Sequence, residues 1–114
     1  MALKNSVAAI PVAIYDSANL LVGYQAFTTL PEPVFFMRIN NTSDVGVIIS
    51  FDGGAHDAEV INAGDFVELN FQNNASPNGY VCKMAAGTKV AIKWLTAAGT
   101  GDIYLSGYYQ VQAN

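Results

Sequence analysis

The side chains able to do chemistry are few, and most fall in one short stretch. His56 is the only histidine and Cys82 the only cysteine in 114 residues. His56 lies in Gly53-Gly54-Ala55-His56-Asp57, close in sequence to Asp52 and Glu59. A histidine beside carboxylates suggests an acid–base pair or a small oxygen/nitrogen metal site. The spacing matches no calcium loop, which needs several more oxygen ligands at fixed positions. A polar, glycine-rich turn accounts for the same residues without any chemistry, and that is the expectation adopted. A Ser-His-Asp triad would have to use His56, and there is no Gly-x-Ser-x-Gly elbow. Cys82 alternates with Lys83 in an apolar run and reads as a small hydrophobe, with no local feature that activates a thiolate.

The carboxylates Asp52, Asp57, Glu59, Asp65 and Glu68 fall near turns or on the polar faces of expected strands. Glycosidase chemistry needs a pair of acids flanking a cleft, and a domain of this length leaves little room for one. Gly99-Thr100-Gly101-Asp102 looks superficially like a phosphate cradle, but no helix is predicted behind it, so it reads as a hairpin loop. Asn40-Asn41-Thr42, Asn41-Thr42-Ser43 and Asn74-Ala75-Ser76 fit the glycosylation pattern and equally fit turn chemistry, which is preferred. No catalytic, metal-ligating or cofactor-binding residue is assigned, and a non-enzyme without cofactors is expected.

Composition points the same way. Hydrophobic residues make up 52% of the chain and charged residues 12%, about half the usual charged share. In one domain of this size, part of that apolar excess must lie near the surface, as in a subunit covered by neighbours. The net charge is −4, and the five cations Lys4, Arg38, Lys83, Lys89 and Lys93 are too few for a phosphate-backbone surface. Nucleic acid is therefore not an expected partner. No apolar stretch approaches the ~20 residues of a membrane helix, so no membrane partner is expected. A single cysteine permits no internal disulfide, which mildly favours folding in a reducing cytoplasm.

The elements that must carry these residues are strands. Short apolar runs alternate with clusters of Gly, Asn, Asp, Ser and Pro, and no segment has a capped 3.6-residue period. Val7 to Tyr15 faintly resembles a signal peptide, but Pro11 interrupts it and no clean cleavage site follows, so an edge strand is expected. Leu20 to Leu30 is a second candidate strand. Pro31-Glu32-Pro33 then suggests a joint between residues 1–33, an N-terminal arm or pair of edge strands, and residues 34–114, a compact sheet region of the same domain.

Beyond that joint the two-residue period is clear. It predicts strands at Val34 to Asn40, Val45 to Phe51, Ala58 to Ile61, Phe66 to Phe71, Tyr80 to Met84, Lys89 to Leu95 and Ile103 to Val111. The first two are expected to form a hairpin across Asn41-Thr42-Ser43-Asp44, and Gln72 to Gly79 a polar loop. Trp94 alternates with Val90 and Ile92 and is expected in the core. The count, about eight to nine strands at roughly 8–12-residue spacing, predicts an all-β antiparallel sandwich or small barrel. The rings of Tyr24, Tyr80, Trp94, Tyr104, Tyr108 and Tyr109 either stack on sugars or pack at the core and subunit contacts, and a carbohydrate-binding β-sandwich module stands as the alternative function.

Several turn-and-strand motifs carry a resemblance. Arg38-Ile39-Asn40-Asn41, Ile49-Ser50-Phe51-Asp52-Gly53-Gly54 and Ala63-Gly64-Asp65 are three of them. Asn74-Ala75-Ser76-Pro77-Asn78-Gly79 and Gly99-Thr100-Gly101-Asp102-Ile103-Tyr104-Leu105-Ser106-Gly107-Tyr108-Tyr109 complete the set. Together they resemble small virion proteins of tailed bacteriophages over about residues 34–110. The resemblance implies a β-sandwich subunit that assembles with itself as a homo-oligomer and with other virion structural proteins. Its place would be a head–tail connector or neck ring, or the capsid surface. It also implies synthesis in the host cytoplasm and residence in the virion.

Overall fold

The computed structural model describes residues 4–71 and 83–113. Among these residues nine strands form two antiparallel sheets packed face to face, which makes the chain an all-β sandwich. The strands are β1 Lys4–Ala9, β2 Ala13–Asp16, β3 Gln25–Thr29, β4 Val34–Asn41 and β5 Val47–Ser50. They continue with β6 Glu59–Ile61, β7 Phe66–Asn70, β8 Lys89–Trp94 and β9 Asp102–Ala113. One sheet runs β1-β9-β4-β7, with β2 also on β9; the other runs β3-β8-β5-β6. A 3₁₀ turn, Ser17–Asn19, is capped by the Asp16 carboxylate, which accepts from the Ala18 N–H.

The alternation in the sequence sets the inner faces. Met37 and Ile39 of β4 and Ile103 and Leu105 of β9 face Val47 and Ile49 of β5 and Val90 and Ile92 of β8, all fully buried. Each such side chain contributes roughly 1.5–3 kcal/mol. Trp94 shares this inward parity but lies at the rim, partly buried against the core cluster.

Three expectations are corrected. The run Val7 to Tyr15 is two strands, not one. Pro11 has no N–H for the ladder, and the chain breaks at Ile10-Pro11-Val12, where Ile10 turns into the core and its N–H reaches Gly107 O at 3.0 Å. Both pieces pair with β9, in register Ala9↔Tyr108 and Ala13↔Leu105. Leu20 to Leu30 forms a strand only over β3, and Leu20 and Leu30 on either side of it are buried in the core.

Third, β4 and β5 do not form a hairpin. They belong to opposite sheets, and the chain crosses between them at a buried corner built on Asn41. The Asn41 amide donates to the carbonyls of Val45, Ile61 and Asn62, and its oxygen accepts from the Ser43 N–H and hydroxyl. A short connection can thus change layers without leaving buried polar groups unpaired.

The residues before Pro31 supply β1 and β2 to one edge of the first sheet and β3 to one edge of the second. Leu30 is clamped by backbone bonds to Thr88 and Gly87. The expected strand Tyr80 to Met84 and loop Gln72 to Gly79 lie outside the described residues, apart from Lys83 and Met84, the latter bridging to Val34.

Candidate functional site

The densest polar cluster lies where the loop after β5 folds back over the outer side of the β3-β8-β5-β6 sheet. Ser50 and Ala91 point away from the core by parity, yet both are buried, because this loop covers them. The Ser50 hydroxyl donates to Asp52 Oδ1 at 2.6 Å and accepts from the Gly54 N–H at 3.0 Å. Gly54 sits at φ +105°, and a Cβ there would lie 3.0 Å from Tyr24 Cβ, so only glycine lets the loop close on this ring.

The pairing of His56 with Asp52 is real. His56 Nδ1 lies 2.6 Å from Asp52 Oδ2, and the His56 N–H donates to Asp52 Oδ1 at 3.0 Å. The hydrogen bonds from Ser50 and then His56 hold the Asp52 carboxyl well below the usual carboxylate range. A second group stands beside it. Tyr24 donates to Asp57 Oδ1 at 2.5 Å, and Lys93 Nζ lies 3.4 Å from the same oxygen and 4.6 Å from the centre of the Tyr24 ring. Burial, and after it the bond to Asp57, pushes the Tyr24 phenol well above its ordinary range. The same bond, with Lys93, lowers Asp57.

This arrangement closes a loop. The His56 side chain is 84% exposed, and Asp52 is spent on Ser50 and two contacts from His56. Glu59 does not join the pair but lies in β6 opposite Ile49. Among the described residues no three His, Cys, Asp or Glu side chains converge as metal ligands. Cys82, Tyr80 and Asn74-Ala75-Ser76 fall outside the described residues.

The other candidates resolve structurally. In the Gly99–Asp102 loop, the Thr100 N–H donates to the Asp44 carboxylate at 2.8 Å and the Gly99 N–H to Ser17 O, so a carboxylate of the chain occupies the place a phosphate would need. Asn41 is fully buried in the corner and is not open to a glycan in this fold. Of the six rings, Tyr109 packs against the core and Trp94 at its rim, while Tyr104 and Tyr108 face outward by parity. Beside Tyr24, a hollow of about 340 Å³ is lined by Gln25, Thr28, Thr29, Gly53 and Lys89.

The outward face of the five-stranded sheet was not singled out in the sequence. Its register sets Ile14, Tyr104, Asn40 and Phe66 in one row and Ala9, Tyr108, Phe36 and Asn70 in another. Between them run Ser106, Arg38 and Glu68. Ile14, Phe66 and Tyr108 are 60%, 52% and 43% exposed. Next to Tyr108, an apolar hollow of about 360 Å³ is lined by Val7, Phe35, Phe36 and Asn70. The signal for this face was present in the same alternation that fixed the core, read at the opposite parity.

Fold and site define an antiparallel β-sandwich with one aromatic outer sheet face and a polar loop clasp on the other. Compared with protein-family models and with curated protein sequences, the chain matches none.

Proposed function

We propose that the protein is a non-enzymatic structural subunit of a bacteriophage particle, assembling as a homo-oligomer in a head–tail connector or neck ring or on the capsid. The observation that carries the assembly reading is the distribution of exposed apolar side chains. Val7, Ile14, Phe66 and Tyr108 lie on the outer face of one sheet, while Leu21, Val22 and Leu95 lie around the end of β8 in the other sheet. Two separate apolar surfaces on a subunit with 12% charged residues suit a chain that is covered on more than one side. The polar cluster, spent on closing its own loop, supports a role without catalysis. The phage setting rests on the resemblance of the turn-and-strand motifs between residues 34 and 110.

Cryo-microscopy of the source particles tests this directly. Copies of the sandwich resolved in a neck ring or on the shell support the proposal; particles complete without the chain overturn it.

A second reading, a carbohydrate-binding module, is favoured by the hollow beside Tyr24, whose Thr28, Thr29 and Lys89 could hydrogen-bond a sugar. Glycan binding by a monomeric protein, lost in Thr29→Val, would favour it over the assembly reading.

A further inference from the structure

We infer that the outer face of the β1-β9-β4-β7 sheet docks an extended segment of a second, different protein, one that presents basic side chains alternating with apolar ones. The inference rests on the assembly reading above for its premise that this face is covered, and it names the chemistry of what covers it.

The first observation is the charge. The strand register sets Asp16, Asp102 and Glu68 on this face against Arg38, three carboxylates to one guanidinium. Asp16 and Asp102 stand directly opposite each other on β2 and β9. Like charges so placed repel, with Cβ atoms only ~4.5–5.5 Å apart. Asp16 Oδ1 caps the 3₁₀ turn, and Asp102 Oδ2 lies 3.5 Å from the Tyr104 hydroxyl. Glu68 is exposed. The described ion pairs, His56–Asp52 and Lys93–Asp57, include none of these three acids. A cation from outside relieves the repulsion, whereas a copy of the same acidic face adds to it.

The second observation is how the face already holds a cation. The Arg38 guanidinium lies over the Phe66 ring, 4.3 Å from its centre, although Glu68 is its direct cross-strand neighbour. Rings attract cations through their negative faces, and more strongly where water is excluded. Tyr104 and Tyr108 turn two further rings to the same face, one on the row next to Asp102 and one on the row next to Arg38. Carboxylates interleaved with rings suit lysine and arginine side chains, which lay an apolar stem on the rings and carry the charge at the tip.

The third is spacing. The hollow of about 360 Å³ beside Tyr108 and Phe36 seats one apolar side chain. Along β9 the outward residues after Tyr108 are Ser106, Tyr104 and Asp102, ~7 Å apart. An extended segment repeats at the same two-residue interval. Laid over β4 with an apolar side chain in the hollow, it brings its residue two positions on to the row of Glu68. Its fourth position then meets Ile14 and Tyr104, and its sixth meets Asp16 and Asp102. Glu68 and Asp102 each lie one strand to the side of β4, ~4.8 Å away, within reach of a lysine. The matching segment therefore reads apolar-x-basic-x-apolar-x-basic.

NMR titration of the isotope-labelled full chain tests this with the peptide acetyl-Phe-Ser-Lys-Ser-Leu-Ser-Lys-amide and its counterpart with glutamate for both lysines. The lysine peptide should shift the amides of Glu68, Tyr104 and Tyr108, and the glutamate peptide should bind at least about tenfold more weakly. Glu68→Gln and Asp102→Asn, which keep the side-chain shape, should each weaken the lysine peptide about threefold or more. Glu59→Gln removes the same charge from the other sheet and should leave the affinity within about 1.5-fold. A loss with Glu59→Gln as large as with Glu68→Gln would mean attraction to net charge alone and overturns the inference. So does equal binding of the two peptides, or no shift at about 5 mM peptide. The same amides shifting as the chain alone is concentrated would put a copy on this face and overturn it too. Each overturning result leaves the self-association reading standing, because that is read from the mass in solution.

Discussion

The Ser43 hydroxyl donates to the oxygen of Asn41 at 2.5 Å, two residues away, and both side chains are buried at the corner where the chain passes from one sheet to the other. The same hydroxyl lies 3.0 Å from the Val45 carbonyl, to which the Asn41 amide also donates. Every polar atom of the corner has a partner, and a cut on either side leaves several without one.

Asn41→Ala should therefore destabilise the sandwich by about 2–4 kcal/mol, since three carbonyls lose a donor in a dry site. Ser43→Ala should cost about 1–2 kcal/mol. Urea denaturation monitored through Trp94 fluorescence measures both, and an Asn41→Ala protein within ~0.5 kcal/mol of wild type would show that the corner is not structural.

Gly101 closes against the same corner from the β9 side. It sits at φ +108°, and a Cβ there would lie 2.8 Å from Ser43 Cα. Gly101→Ala adds left-handed strain to a backbone clash and should lower stability by about 1–3 kcal/mol. The midpoint of thermal unfolding should drop accordingly.

Trp94 lies at the rim of the core and not at its centre. Trp94→Ala should cost about 2–3 kcal/mol, below the ~3–5 typical of fully buried large aromatic residues. Ile92→Ala, wholly inside, should cost at least as much despite its smaller side chain. Equilibrium unfolding of the two variants side by side decides the order.

Acid should loosen the clasp. Asp52 and Asp57 have carboxyls lowered from the ordinary 3.8 by their hydrogen bonds. A group lowered in the folded state contributes stability above its unfolded pKa and loses it as pH falls through its folded one. Stability should thus decline from about pH 4 downward, and less steeply in Asp52→Asn. Unfolding measured at a series of acid pH values tests this; identical slopes in wild type and variant would contradict the role given to the Ser50–Asp52–His56 contacts.

Much of the fold was readable in the residues, because a period of two sorts side chains into inner and outer sets before any neighbour is known. It placed Met37 and Ile39, Val67 and Leu69, and Val90 and Ile92 correctly on inner faces. It did not say which strand lies beside which, because alternation is a property of one strand and pairing a property of two. The hairpin expected between β4 and β5 failed for that reason: Asn41-Thr42-Ser43-Asp44 has the composition of an exposed turn, and only tertiary contact makes it a buried corner. The site followed the same division. His56 and Asp52 were close enough in sequence to suspect a pair, but the links to Tyr24 and Lys93 span long separations that no motif encodes. The aromatic outer face is not legible in any one segment, because Phe36, Phe66, Tyr104 and Tyr108 are far apart along the chain and only strand pairing brings them together.

The proposed function requires this chain to associate with copies of itself. Size-exclusion chromatography with light scattering, run on the full chain from about 1 to about 100 μM, tests it most directly. The mass should rise with concentration to at least twice the 12.1 kDa of one chain. A single 12.1 kDa species across the whole range would contradict it.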